Sequence, residues 1–324
     1  FSSLAVVAAL GEDRAQVEGR FDELARRHQF IQDCGIHVLP NGEAVSRYGF
    51  IHALYCDVLY ERVSALQRVR LHRRIGEEGE LLFGARAGEI AAELAMHFER
   101  GANNRQAVRH LKQAAVNAIH RFAYREAVGL ARRGLDLLAT LPESAERDEQ
   151  ELCLQLTLGV PLIATVGYAS PEVGSVYQRA RELCRLIGDT PDISEVLWGL
   201  WTFHTLRAEL RTAREIAEEF LSLAARLPYP GLAMRSHLAM EITFMHMGEV
   251  DSATGHFDKA LSLYDPEQHR EDAFIYAQHP GVAMRCFGAW ALWFLGKPDT
   301  ALERIHDPEL DAAVDRALNK GSRS

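Results

Sequence analysis

The chain has 324 residues, 48% hydrophobic and 25% charged, the make-up of an ordinary globular protein with room for more than one packed unit. Its net charge of −9 repels phosphate backbones and counts against nucleic acid as the main partner. No apolar run approaches the roughly 18–20 residues needed to cross a bilayer, so no membrane partner is expected.

The opening run, FSSLAVVAAL, lacks a Met and the basic start of a signal peptide, which points to a piece of a longer protein. Gly11 breaks this first helix, and Asp13 is placed to cap a second, RAQVEGRFDELARRH, with Val17, Phe21 and Leu24 on one face. FIQ and VSRYGFI then carry strand-type residues on either side of the turn signal PNGE. Two helices and a hairpin make the outline of a winged helix. From Ala53 everything reads as helix, beginning with HALYCDVLYERVSALQRVRLHRRI, in which Leu54, Val58, Leu59, Val63, Leu66 and Val69 recur at three and four. GEEGELLFGARAG is expected to break it.

Further helices are predicted at about 89–100, 104–120, 123–140, 148–164, 171–187, 193–206, 210–227, 231–247, 250–264, 273–295 and 298–305. Gly188, Pro228, Gly248, Asp265-Pro266 and Gly296 mark their ends. The expected division is a winged-helix unit with its connecting helix over 1–78, a helical solenoid over 79–305, and a short helix with a polar tail over 306–324. In that last segment Leu310, Val314 and Leu318 at four-residue steps predict a weak cap.

The helical part repeats itself. MGEVDSATGHFDKALSLYD (247–265) and LGKPDTALERI (295–305) share Gly, two residues, Asp, a hydroxyl residue and Ala. Ala253, Phe257 and Ala260 stand at steps of four and three, as do Ala107, Leu111 and Ala114; Ala213 with Ala217, and Ala301 with Ile305, are partial copies. From Ala213 to Ala253 is 40 residues and from Ala253 to Ala301 is 48. Small residues let a second helix press close, and the larger one fills the groove beside it. These features resemble tetratricopeptide repeats, helix–turn–helix units whose usual period is about 34, here irregular and longer. A generic helical bundle is the alternative. The expected fold class is therefore all-α, an α-solenoid of tetratricopeptide-like helix pairs preceded by a small winged-helix unit.

The segment 46–77 carries a pattern Y-x-F-x-H-x-L, then V-x-Y, then R-x-x-x-H-x-x-I, met by Tyr48, Phe50, His52, Leu54, Val58, Tyr60, Arg68, His72 and Ile75. With AAELAMHFERG (91–101), GYASPEV (167–173), YQRARELC (177–184), LWGLW (197–201) and ALSLYDPEQH (260–269), it resembles the bacterial STAND-class signalling ATPases. These are large multidomain proteins, often fused to adenylate or guanylate cyclase or protein kinase domains. The resemblance runs from about residue 1 to 305. It implies that the 46–77 pattern links a winged helix to tetratricopeptide repeats, with Tyr48, Phe50, His52, Tyr60, Arg68 and His72 in structural roles. It also implies an ATPase module, using ATP and Mg, upstream of this chain, because no G-x-x-x-x-G-K-[ST] is present here.

Other chemistry is sparse. The 14 histidines form no H-E-x-x-H and no Ser-His-Asp arrangement is suggested, so no catalytic residue, metal or cofactor is expected in this chain. Glu241 and Glu195, isolated carboxylates on apolar helices, are the acid–base candidates. The cysteines (Cys34, Cys56, Cys153, Cys184, Cys286) form no C-x-x-C pair, which suits free thiols in a reducing cytoplasm. The basic run RVRLHRR (68–74) is followed at once by GEEGE and reads as a solvated helix face.

The expected function is a non-catalytic regulatory and protein-interaction region that senses a partner and relays it to the upstream ATPase. A winged-helix regulator contacting DNA through RAQVEGRFDELARRH is the rival. A piece of a protein carrying a cyclase domain is another. Partner binding is assigned by register. Counting back from Ala213 gives Glu195, Trp198, Thr202 and Thr205; from Ala253, Arg235, Leu238, Ile242 and Met245; from Ala301, Ala283, Cys286, Trp290 and Trp293. Steps of three, four and three keep each set on one helical stripe. Trp198, Met245, Trp290 and Trp293 are the expected anchors of an apolar groove for a protein or peptide, with Glu195 and Arg235 at its rim. Burial of the stripe in the repeats' own core is the competing expectation.

Overall fold

The computed structural model describes residues 1–39, 42–188, 190–227, 231–265, 268–269, 272–276 and 279–306. The cap predicted over 307–319 lies outside these. Among the described residues the chain is mostly helical, with one two-stranded sheet. It falls into two compact units: residues 1–118 with 129–142, and residues 119–128 with 143–324.

The first unit opens with α1 (Ser3–Leu10), N-capped by the Ser2 hydroxyl and stopped at Gly11, whose φ of +70° is the left-handed value a helix end needs. Asp13 caps α2 (Arg14–Arg26) by accepting from the Gln16 amide. The strands β1 (Ile31–Val38) and β2 (Ala44–Phe50) pair antiparallel, with an irregularity between Asp33 and Ile36. Tyr48 turns inward, 2% exposed, and its ring meets Phe1 and Phe21 while its hydroxyl donates to Asp22 Oδ1 at 2.7 Å. Burial and the Asp22 carboxylate push that hydroxyl up to about 12.

The helix expected from Ala53 onward divides in two, α3 (Ala53–Arg62) and α4 (Ala65–Phe83). Val63 is extended, and the Ser64 hydroxyl starts the second helix by accepting from the Gln67 amide. The break expected in GEEGELLFGARAG falls at its Gly84, so α4 runs through the GEEGE part and ends at Phe83. Its glycines serve packing instead. A Cβ on Gly76 would sit 3.1 Å from the Phe98 ring and one on Gly79 2.9 Å from Leu94, both on α5 (Ala91–Arg100). A 3-10 segment (Gly84–Ile90) joins the two helices, and Leu94, Phe98 and Ala107 form a core beneath them.

Helices α6 (Asn104–His120) and α7 (Tyr124–Leu138) follow. The second unit continues with α8 (Ala145–Val166), α9 (Pro171–Ile187), α10 (Ile193–Leu206), α11 (Leu210–Arg226), α12 (Leu232–Met247) and α13 (Val250–Leu263). It ends with α14 (Asp272–Tyr276), α15 (Pro280–Phe294) and α16 (Pro298–Ile305). From α8 to α13 each helix packs on the next, then α13 on α15 and α15 on α16. The repeated small residues sit at these contacts: Ala213, Ala217, Ala253 and Ala260 are fully buried, and Ala301 is 3% exposed. Phe257 lies against Gly288, where a Cβ would come within 2.3 Å of its ring. Ile305, the partner expected for Ala301, is 40% exposed.

The single helix expected over 273–295 is not formed. His279, just before Pro280, is extended (φ −79°, ψ 121°), because a residue preceding proline is driven out of the helical region. That break frees α14 to pack on α10 and α8.

Candidate functional site

The residues assigned to the stripe separate into two groups in the second unit. Trp198, Arg235, Ile242 and Met245 are buried, at 4, 7, 2 and 9% exposure, and Glu195 and Thr202 are half-buried. Trp290 and Trp293 are 54% and 60% exposed, alongside Phe294 and Leu302. An open apolar groove along the whole stripe is therefore not what forms. Its α12 part is core, Cys286, Trp290 and Trp293 on α15 face outward while Ala283 is buried, and Glu195, Trp198 and Arg235 come together at one place.

That place is built by α10, α12 and α14. Arg235, on α12, donates to Asp272 Oδ1 at 2.7 Å, and both side chains are almost wholly buried. The Arg235 guanidinium also lies over the Tyr276 ring, 3.9 Å from its centroid. Gly231 makes room for it, since a Cβ there would be 2.5 Å from Nη1. The Trp198 indole N–H, from α10, donates to the Tyr276 carbonyl at 3.2 Å, and the two rings meet edge to face at 6.1 Å. Ser194 Oγ lies 3.4 Å from the Tyr276 hydroxyl. Trp201, next to Trp198 at 4.8 Å, donates instead to Thr243 Oγ1 at 2.8 Å inside the core.

The electrostatics at this point are dominated by lost solvent. Burial, then repulsion from Asp192, pushes Glu195 up to about 8, against the attraction of Arg235. Burial also raises Asp272 above the usual carboxylate range although Arg235 is bonded to it, and lowers His279. Tyr264 stacks on His269 and meets His279 edge-on, completing the far side. Among the described residues, Arg235 Nε, Asp272 Oδ2, His269 Nε2, both His279 ring nitrogens and the Tyr264 hydroxyl have no hydrogen-bond partner. Glu241, the other carboxylate singled out, is fully buried on α12 with neither oxygen hydrogen-bonded among the described residues. Burial raises it well above the ordinary range.

The junction residues form a separate arrangement in the first unit. His52 Nδ1 caps α3 by accepting from the Leu54 amide at 3.0 Å. Tyr60 hydroxyl meets His72 Nε2 at 2.9 Å, Arg68 covers the Tyr60 ring at 4.9 Å, and His72 Nδ1 meets His97 Nδ1 at 3.0 Å. Burial, then His97 and the Arg100 and Arg68 charges, lowers His72 to about 4, and burial lowers His97 as well. Phe50 packs against Phe1, with Tyr48 beside it. These contacts hold helices and hairpin together.

Asp272, Tyr276 and Ser194 were not legible as site residues. Asp272 is 37 residues from Arg235 and fell at the edge of a run read as one helix. The signal that could have exposed it is His279-Pro280, which stops a helix before α15. Among the described residues no helix is long and apolar enough to cross a membrane, and the five cysteines are free thiols.

No family model matches this chain. It is 26% identical over 265 residues to an uncharacterized protein of Rhizobium meliloti (strain 1021), an alignment covering 80% of this chain and 25% of that protein. The chain thus spans about a quarter of the length of the relative it matches.

Proposed function

We propose that this chain is a non-catalytic interaction region of a longer signalling protein, which binds a protein or peptide partner and relays its presence to an ATPase module outside the chain. The observation that carries this reading is the recurrence of buried small residues, Ala213, Ala253 and Ala301, at the contacts of successive helix pairs. Helices stacked in sequence order, each on its neighbours, support an array of tetratricopeptide-like pairs, an architecture suited to extended binding surfaces. Two helices and a hairpin joined through Tyr48 support a winged-helix unit ahead of it. The STAND-type pattern from Tyr48 to Ile75 supplies the module to be regulated, and the relative's greater length is in keeping with further domains.

The test has two arms. In the natural full-length polypeptide, deleting the region equivalent to 143–305 should uncouple ATP hydrolysis from its stimulus, and an unchanged response would refute the relay. Calorimetry on this chain alone should give no ATP binding, since it has no P-loop to cradle the phosphates. Micromolar binding would overturn the division of labour.

A further inference from the structure

Where α10 and α12 bring Glu195, Trp198 and Arg235 together, a segment of the chain itself already occupies the stripe. Asp272 and Tyr276 are four residues apart, so one turn of helix presents both on one face. That turn offers Arg235 a carboxylate and an aromatic ring, and offers the Trp198 indole a main-chain carbonyl. The fit is incomplete. An arginine–carboxylate pair usually uses two parallel N–H···O bonds, whereas here Arg235 Nε and Asp272 Oδ2 are both buried without a partner among the described residues. His279, at the far end of the same connection, is 7% exposed with both ring nitrogens in the same condition. Buried polar atoms left unpaired weaken the closed arrangement.

We propose that the α10–α12 stripe is a recognition site for a peptide turn carrying one carboxylate and an aromatic ring four residues later, and that α14 is an internal copy of that ligand which keeps the site closed. This rests on the reading of the chain as a partner-binding region. Arg235, Trp198 and Ser194 read the carboxylate, the carbonyl and the ring. Because α14 is tethered, its effective concentration is on the order of millimolar, and a peptide in trans must pair better than it does to displace it. A two-pronged carboxylate on Arg235 is the way to do so.

The probe is a fluorescent peptide of sequence HREDAFIYAQHP, residues 269–280. Added to the full chain carrying Asp272→Asn and Tyr276→Ala, it should bind at least about tenfold more tightly than to the unaltered chain, whose site is filled. Replacing the peptide's Asp by Asn, or its Tyr by Ala, should each weaken binding about tenfold. Adding Arg235→Met to the altered chain should abolish it. Equal binding to altered and unaltered chains, or binding that survives Arg235→Met in a chain with an unchanged melting curve, overturns the proposal. If the double variant fails to fold, hydrogen exchange decides on the unaltered chain. Excess peptide should release the amides of 272–276, and unchanged protection at saturation overturns the proposal. Peptide binding with no effect on the full-length protein's ATP hydrolysis would refute the relay and leave this site standing.

Discussion

Replacing Glu195 by Gln tests whether burial, rather than an unseen partner, governs the α10–α12 site. In the folded chain Glu195 releases its proton near 8, against an ordinary value of 4.5. Between those values the unfolded chain has lost this proton while the folded chain keeps it, so stability falls as pH rises from 4.5 to about 8 and is level beyond. One proton is worth up to about 1.4 kcal/mol per pH unit, so the roughly 2.5 units below pH 7 cost the folded chain about 3 kcal/mol. Glu195 keeps some solvent contact, which trims this to roughly 1.5–3 kcal/mol. Gln cannot ionise and escapes the cost. Urea denaturation from pH 4.5 to 7 should show the Gln variant gaining on the parent chain as pH rises, by roughly 1.5–3 kcal/mol over that range. Any fixed effect of the amide shifts the whole curve without tilting it. A difference that stays flat across the window would refute the reasoning.

The tryptophans should divide as their burial does. Trp198→Ala should cost about 3–5 kcal/mol in the same assay, whereas Trp290→Ala and Trp293→Ala, each more than half exposed, should stay within about 1 kcal/mol. A large loss at both exposed positions would mean they are core residues. Gly199→Ala should destabilise by about 1–3 kcal/mol, because its Cβ would come within 2.3 Å of the buried Tyr177 ring. Tyr177→Leu in that background should recover part of the loss, and no recovery would place the strain elsewhere.

The sequence by itself determined what local chemistry decides. Gly11, Asp13 and the hairpin came through in their places, because a left-handed helix end, a capping carboxylate and paired strands are set within a few residues. Periodicity marked Ala213, Ala253 and Ala301 as contact positions, since a helix pair cannot close without small residues on the shared face. It placed the end of α4 within GEEGELLFGARAG but not at which glycine, and Gly76 and Gly79 lie inside the helix. Only the tertiary structure shows Phe98 and Leu94 pressed against them, which turns the missing Cβ from a weakness into a requirement. The stripe fared likewise. Register placed Glu195, Trp198 and Arg235 on matching helix positions, but whether such a stripe lies open depends on what covers it. The cover comes from Asp272 and Tyr276, distant in sequence and joined to the site by one ion pair and one indole bond. Contacts of that kind carry no period, so the folded chain alone decides that the site is occupied, while Trp290 and Trp293, in the same register, stay in solvent.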